Sequence, residues 1–181
     1  GAASGLGAET ARYLTEAGAR VALIDIDAEG VAKVGKEVGG LAIPCDVADS
    51  GAAEAAIRTA REAHGAARVL VHCVGRAHPQ KIVDHETPMP LDDFRQLVEV
   101  NLISTFNMMR LVAADMAKLS PGPSGERGVI ISTASSSAYE GQSGEAAYAA
   151  SKGGVVSMIL PAALELGQLG IRVVGIAPGL F

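Results

Sequence analysis

Three residues in the second half of the chain have the types and spacing to move a proton: Ser135, Tyr148 and Lys152. Tyr148 and Lys152 stand at i and i+4 in A-A-Y-A-A-S-K, so on a helix they share one face. Ser135 precedes Tyr148 by thirteen residues. A free tyrosine has a pKa of about 10, too high for a base at neutral pH. A lysine ammonium beside it favours the phenolate and brings that value down. Such a tyrosine can take a proton from a substrate alcohol or return one to a carbonyl. The serine hydroxyl can hold the substrate oxygen. Tyr-x-x-x-Lys alone fits an amphipathic helix with a surface lysine equally well. The upstream serine and the Gly-rich start of the chain set it apart.

These side chains need a strand and a helix to hold them. Residues 128–134 (G-V-I-I-S-T-A) are mostly β-branched and apolar, which predicts a buried strand. Ser135 then sits at its carboxyl end, where ligands bind in open α/β sheets. Residues 146–166 read as the helix that carries Tyr148 and Lys152. At the other end of the chain, residues 1–7 read G-A-A-S-G-L-G, ahead of a helix expected over 8–18. Glycines let a backbone approach a phosphate, and a helix N-terminus attracts its charge. Residues 20–26 (R-V-A-L-I-D-I) read as a buried parallel strand with Asp25 at its carboxyl end. An acid about 20 residues past the glycines can accept hydrogen bonds from the adenosine ribose and repel the extra phosphate of NADP. Asp27 is close enough to share that assignment. The expected cofactor is therefore NAD.

The remaining elements follow the same alternation. A helix is expected over 28–38 and a strand over 41–45, with Asp46 placed after it to meet an adenine. An Ala-rich helix over 50–64 has Ser50 as its N-cap. A strand over 68–73 leads into Val74 and Gly75. Residues 76–90 hold three prolines without periodicity and read as a loop. His78 and His85 in it lack metal-ligand spacing, and no metal site is expected. Residues 91–119 read as one long helix or two joined ones, with Asn101 in an apolar stretch. That amide needs a partner or a water: a local hydrogen bond on one reading, a link in a proton path on the other. A last strand is expected over 171–176. Alternating helices and strands predict an α/β fold, a doubly wound parallel sheet in a single domain over residues 1–181.

Composition narrows the partners. Hydrophobic residues make up 49% and charged ones 19%, a globular balance. The net charge of −5 and the absence of a basic run argue against nucleic acid. Membrane association is not expected either, for want of an unbroken apolar run of about 20 residues. Two cysteines, Cys45 and Cys73, make no disulfide framework, so a reducing compartment, the cytoplasm, is expected.

Taken together, these motifs resemble the classical short-chain dehydrogenases/reductases over essentially the whole chain, which implies a Rossmann-type fold. Gly1, Gly5 and Gly7 match the family's Gly-rich loop. Asp25 matches its acid for NAD, Asp46 its adenine-side aspartate and Asn101 its helix asparagine. Ser135, Tyr148 and Lys152 match its catalytic residues, and Pro178-Gly179 the pair after its sixth strand. Its N-[AC]-A-G reads His72-Cys73-Val74-Gly75 here, with histidine in place of asparagine. The runs around Ser135 and Tyr148, the ending I-A-P-G-L-F and the long loop after Gly75 resemble the branch of type 10 hydroxysteroid (type II 3-hydroxyacyl-CoA) dehydrogenases. By that resemblance Ser4, Leu6, Val47, Cys73, Gly75 and Phe181 also contact NAD.

The implied reaction is hydride transfer between NAD(H) and a secondary alcohol or ketone, most closely a 3-hydroxyacyl-CoA. Tyr148 would be the acid/base, Ser135 would position the substrate oxygen and Asn101 would hold a relay water. Lys152 would lower the tyrosine pKa and hold the nicotinamide ribose. A 3-oxoacyl carrier-protein reductase, a hydroxysteroid or sugar-alcohol dehydrogenase, and a silent NAD-binding scaffold are the alternatives. Asp25 counts against the first, which usually prefers NADPH, and the intact Ser135, Tyr148 and Lys152 count against the last. Helices over 91–119 and 146–166 are more apolar than one sheet face needs, and the resemblance implies that they pair in a homotetramer. It also implies a strand before Gly1, between those at 20–26 and 68–73, and a substrate loop after Phe181. The chain is then expected to be an excerpt of a protein of ~250 residues, neither stable nor active alone.

Overall fold

Apolar β-branched runs alternate with Ala-rich helical stretches, and the computed structural model, which describes residues 1–179, folds them accordingly. The chain begins with α1 (Gly5–Glu16), β1 (Ala22–Asp25), α2 (Ala28–Val38), β2 (Leu41–Pro44), α3 (Ser50–His64) and β3 (Val69–His72). A small hairpin follows, β4 (Val83–Asp84) and β5 (Thr87–Pro88). Next comes one continuous helical rod: α4 (Leu91–Val98), a π-helical turn (Glu99–Ile103) and α5 (Ser104–Met116). The chain then runs through β6 (Gly128–Thr133), the short α6 (Ser137–Glu140), α7 (Ala146–Gly167) and β7 (Ile171–Ile176).

The strands pair in parallel in two groups. β1 lies beside β2, and β6 lies between β3 and β7, with Val71, Ile131 and Val174 in register. The inner edges of β1 and β3 face each other across a cavity of about 390 Å³ lined by residues 21–24 and 69–72. Leu23 of β1 faces α1 and α2 through Ala8, Ala11, Val31 and Val34. Ile43 of β2 packs on the other side against Ala53 and Ala56 of α3. Met109, Val112 and Met116 of α5 cover Ile130, Ile171 and Val173, with α7 beside them. Strand alternation therefore sends neighbouring residues to opposite helix layers, the doubly wound arrangement.

Several local expectations are corrected. The N-cap of α3 is Asp49, whose carboxylate accepts from Ala52 N at 2.6 Å, not Ser50. Ser50 is the first helical residue, and its hydroxyl instead takes a bond from Arg110. The expected loop over 76–90 contains the hairpin, turning at His85 and Glu86, both with positive φ. Two-residue strands are too short to show periodicity. The rod Leu91–Met116 and helix Ala146–Gly167 are also long and apolar enough by composition to cross a membrane, although no unbroken apolar run signals it. In this fold they pack on β6 and β7 and bury Asn101, Ser104, Asn107 and Lys152.

Candidate active site

The carboxyl ends of β1, β3 and β6 converge with the N-termini of α1 and α7, and the expected polar residues gather there. β6 ends at Thr133, and the chain turns through the buried Ser135 into α6. That turn is tied to the end of β7: Ala134 N donates to Ile176 O at 2.7 Å and Ser136 N to Pro178 O at 2.9 Å. Pro178 thus braces the serine turn; Gly179 is the last described residue, and Phe181 lies outside the described residues. Ser135 Oγ accepts from Ser137 N at 3.2 Å, which occupies a lone pair and leaves its proton free.

α7 presents Tyr148 and Lys152 one turn apart, as the spacing predicts. Lys152 is 2% exposed and donates from Nζ to Thr133 O at 2.8 Å. Burial pushes its pKa down to about 8, so it remains a cation at neutral pH. Gly75 lies so close that a Cβ there would stand 2.9 Å from Lys152 Nζ. Asn101, fully buried in the π turn, accepts from Arg76 N at 2.8 Å. Its amide donates to Arg76 O at 3.0 Å and to Ser151 Oγ at 2.9 Å. Ser151 Oγ in turn donates to Tyr148 O at 2.7 Å. Both amide protons of Asn101 are used by the protein. The partners of the Asn101 side chain lie 25 and 50 residues away, and any relay water would meet its oxygen or its backbone.

The first residues of the chain make a cradle for an anion. Ala2 N donates to Ile24 O, and Ala3 N to Asp25 Oδ2 at 2.9 Å. Gly5 adopts φ +52, and a Cβ on Gly7 would overlap the Gly1 carbonyl. Gly1 itself lies against the backbone of Cys73. Ser4 caps α1 without using its side chain, the first turn of α1 holds no acid, and Leu6 is exposed beside it. An uncapped helix start beside tight glycines fits a phosphate group. Burial pulls the Asp25 pKa up, but the backbone N–H groups of Asp27 and Ala3, together with the Gly1 amine, hold the carboxyl below its usual range. Asp27 instead spends its carboxylate capping α2 at Gly30 N. Asp46 accepts from Ala48 N, and Val47 is buried with its carbonyl bound by Asn107 Nδ2 at 2.8 Å. Cys73 is half-buried, its Sγ 3.8 Å from Thr133 Oγ1. These features fit an ADP-ribosyl group stretched from α1 past β2 towards Lys152. Among the described residues no cluster of His, Cys, Asp and Glu is arranged to hold a metal.

Thr133 and Ser151 carried no signal that the sequence reading used, and His72 stood out only as a histidine in the place of the asparagine. Ser151 directly precedes Lys152, so a search of the helix for a second buried polar face would have found it. His72 is 4% exposed, and burial, with Lys152 nearby, pushes its pKa down to about 3. It is neutral at physiological pH, with Nε2 3.2 Å from Ser104 Oγ.

A family model described as short chain dehydrogenase matches residues 1–181. The 3-hydroxyacyl-CoA dehydrogenase type-2 of Rattus norvegicus is 47% identical over 190 residues, covering 100% of this chain and 71% of the rat protein. The crystal structure of 3-hydroxyacyl-CoA dehydrogenase type-2 from Mycobacterium avium matches with a TM-score of 0.93 at 38% identity, over 98% of this chain and 71% of that one. A 7α-hydroxysteroid dehydrogenase solved with NADH and 7-oxo glycochenodeoxycholic acid matches with a TM-score of 0.88 at 34% identity, over 99% and 68%.

Proposed function

The chain belongs to the short-chain dehydrogenase family, and on that premise we propose that it interconverts 3-hydroxyacyl-CoA and 3-ketoacyl-CoA with NAD(H). The observation that carries the reading is Lys152: a buried cation one helical turn beyond Tyr148, held on the carbonyl of Thr133 two residues before Ser135. In reduction, Tyr148 delivers its phenolic proton to the substrate oxygen; in oxidation it takes the proton back. Ser135 donates its free proton to the same oxygen and fixes the carbonyl's direction. Lys152 supplies positive charge next to that proton transfer. Its remaining N–H groups are available to ribose hydroxyls. When bound, the nicotinamide supplies or accepts the hydride. Asp25 favours NAD over NADP, because a 2′-phosphate would meet its carboxylate.

We further propose that the working unit is a homotetramer built on α5 and α7. Phe106 on α5 and Leu160 and Leu164 on α7 are each more than half exposed, and burying such side chains gives roughly 1.5–3 kcal/mol apiece. Light scattering tests the assembly, and a monomer mass would rule it out. The substrate assignment is tested by following NADH absorbance with acetoacetyl-CoA, longer 3-ketoacyl-CoA thioesters and ketosteroids. Preferred turnover of the thioesters supports the reading; preferred turnover of a ketosteroid replaces the substrate class.

A further inference from the structure

The π turn under the site is held by a side-chain relay that the proposed reaction does not use directly. In an α-helix Ser104 N–H would bond Val100 O; here it goes one residue further back, to Glu99 O. Ser104 Oγ takes over the Val100 carbonyl, and Thr105 Oγ1 donates to Asn101 O at 2.7 Å. A serine has one proton, and that of Ser104 is spent on Val100 O. His72 Nε2, at 3.2 Å, must therefore carry the hydrogen and donate to Ser104 Oγ. The neutral imidazole fits this role, with one N–H to give. Position 72 is also where the resemblance places an asparagine, another side chain with N–H to donate.

We infer that His72 is a positioning residue: through Ser104 it keeps the π turn wound, so that Asn101 stays locked on Arg76 and Ser151. The relay has two ends that matter to the site. Asn101 holds both backbone polar groups of Arg76, which fixes the segment after Gly75 against Lys152. Through Ser151 it also holds the Tyr148 carbonyl. Losing the first link lets the turn relax towards an ordinary helix and shifts both ends together, while α1 and Asp25, in the other strand group, are untouched.

The inference rests on the proposed roles of Tyr148 and Lys152, and its test separates the two. The complete enzyme is compared with His72→Leu, His72→Asn and Ser104→Ala for kcat, KM and amide hydrogen exchange over residues 99–105 in the cofactor-free state. His72→Leu is expected to lower kcat about tenfold, equivalent to ~1.4 kcal/mol on the barrier, with KM changed less than about twofold. Exchange at Ser104 and Thr105 should accelerate. His72→Asn, which keeps a donor, should recover most of the kcat, and Ser104→Ala should behave like His72→Leu. Wild-type kcat in His72→Leu, an asparagine variant as poor as leucine, or unchanged exchange would overturn the inference. Should His72→Leu fail to fold, Ser104→Ala decides by the same measurements. Should the wild type prove inactive, the functional reading falls, and the exchange comparison alone decides whether His72 holds the turn.

Discussion

Replacing Lys152 by methionine is expected to stabilise the cofactor-free protein while abolishing its activity. The ammonium is 2% exposed, and its one hydrogen bond among the described residues runs to the Thr133 carbonyl. Burial moves its pKa from 10.5 to about 8. At ~1.4 kcal/mol per pH unit, keeping it charged in the folded state at pH 7 costs roughly 3 kcal/mol. Methionine removes that cost but loses the bond to Thr133, worth ~1 kcal/mol, so a net gain of roughly 1–2 kcal/mol remains. The sign follows from linkage. Below pH 8 both folded and unfolded states hold the proton, and stability does not vary with this group. Between about 8 and 10.5 the unfolded chain binds a proton that the folded one has released, so wild-type stability rises with pH. Urea unfolding of both proteins at a series of pH values isolates the effect as a difference. A variant less stable than wild type at pH 7, or a difference that stays flat from pH 8 to 10.5, would refute the reasoning.

Tyr148→Phe should lower kcat by ~10²–10⁴-fold, since the ring is kept and the transferable proton lost, while NADH binding by fluorescence titration stays near wild type. Asp25→Asn should raise the NADPH/NADH ratio of kcat/KM about tenfold, the size of one removed like-charge contact of ~1.4 kcal/mol, as read from steady-state rates with both cofactors. Ser132 is fully buried with its Oγ unpartnered among the described residues. Ser132→Ala should therefore leave stability unchanged or raise it by ~1 kcal/mol, against the loss usual for a buried truncation, as checked by thermal melts.

The proposed reacting groups were legible because the chemistry proposed for them demands residue types at fixed offsets. Ser135 after a β-branched run, and Tyr148 and Lys152 one helical turn apart, stand where the pattern put them. The groups that hold them were not legible. Ser151 and Thr133 act through hydrogen bonds spanning 19 to 50 residues, which local periodicity does not encode. The strand end favours Asp25 as the acid for the Gly-rich segment, with Asp27 near enough to compete, and the cap at Gly30 that occupies Asp27 separates them in three dimensions. Ser50 misleads as the cap of α3 for a related reason, since Asp49 beside it is an equally good cap and the backbone chooses between them.

The π turn also bears on insertions and deletions in the gene. It adds one residue to the rod, so everything beyond it is rotated by about 100° relative to an uninterrupted α-helix. Leu97 before the turn and Met108, Met109, Val112 and Met116 after it are all buried in the present phase. Deleting one residue of the turn would remove the extra residue, so the straightened helix keeps both faces in phase but loses the wide turn that seats Asn101. Adding one residue would demand a second such turn or swing one of the two faces about 100° off its packing partners. The packing of Leu97 and Met108 thus tolerates the loss of one codon between them better than the gain of one, whereas the bonds of Asn101 depend on the extra residue being there.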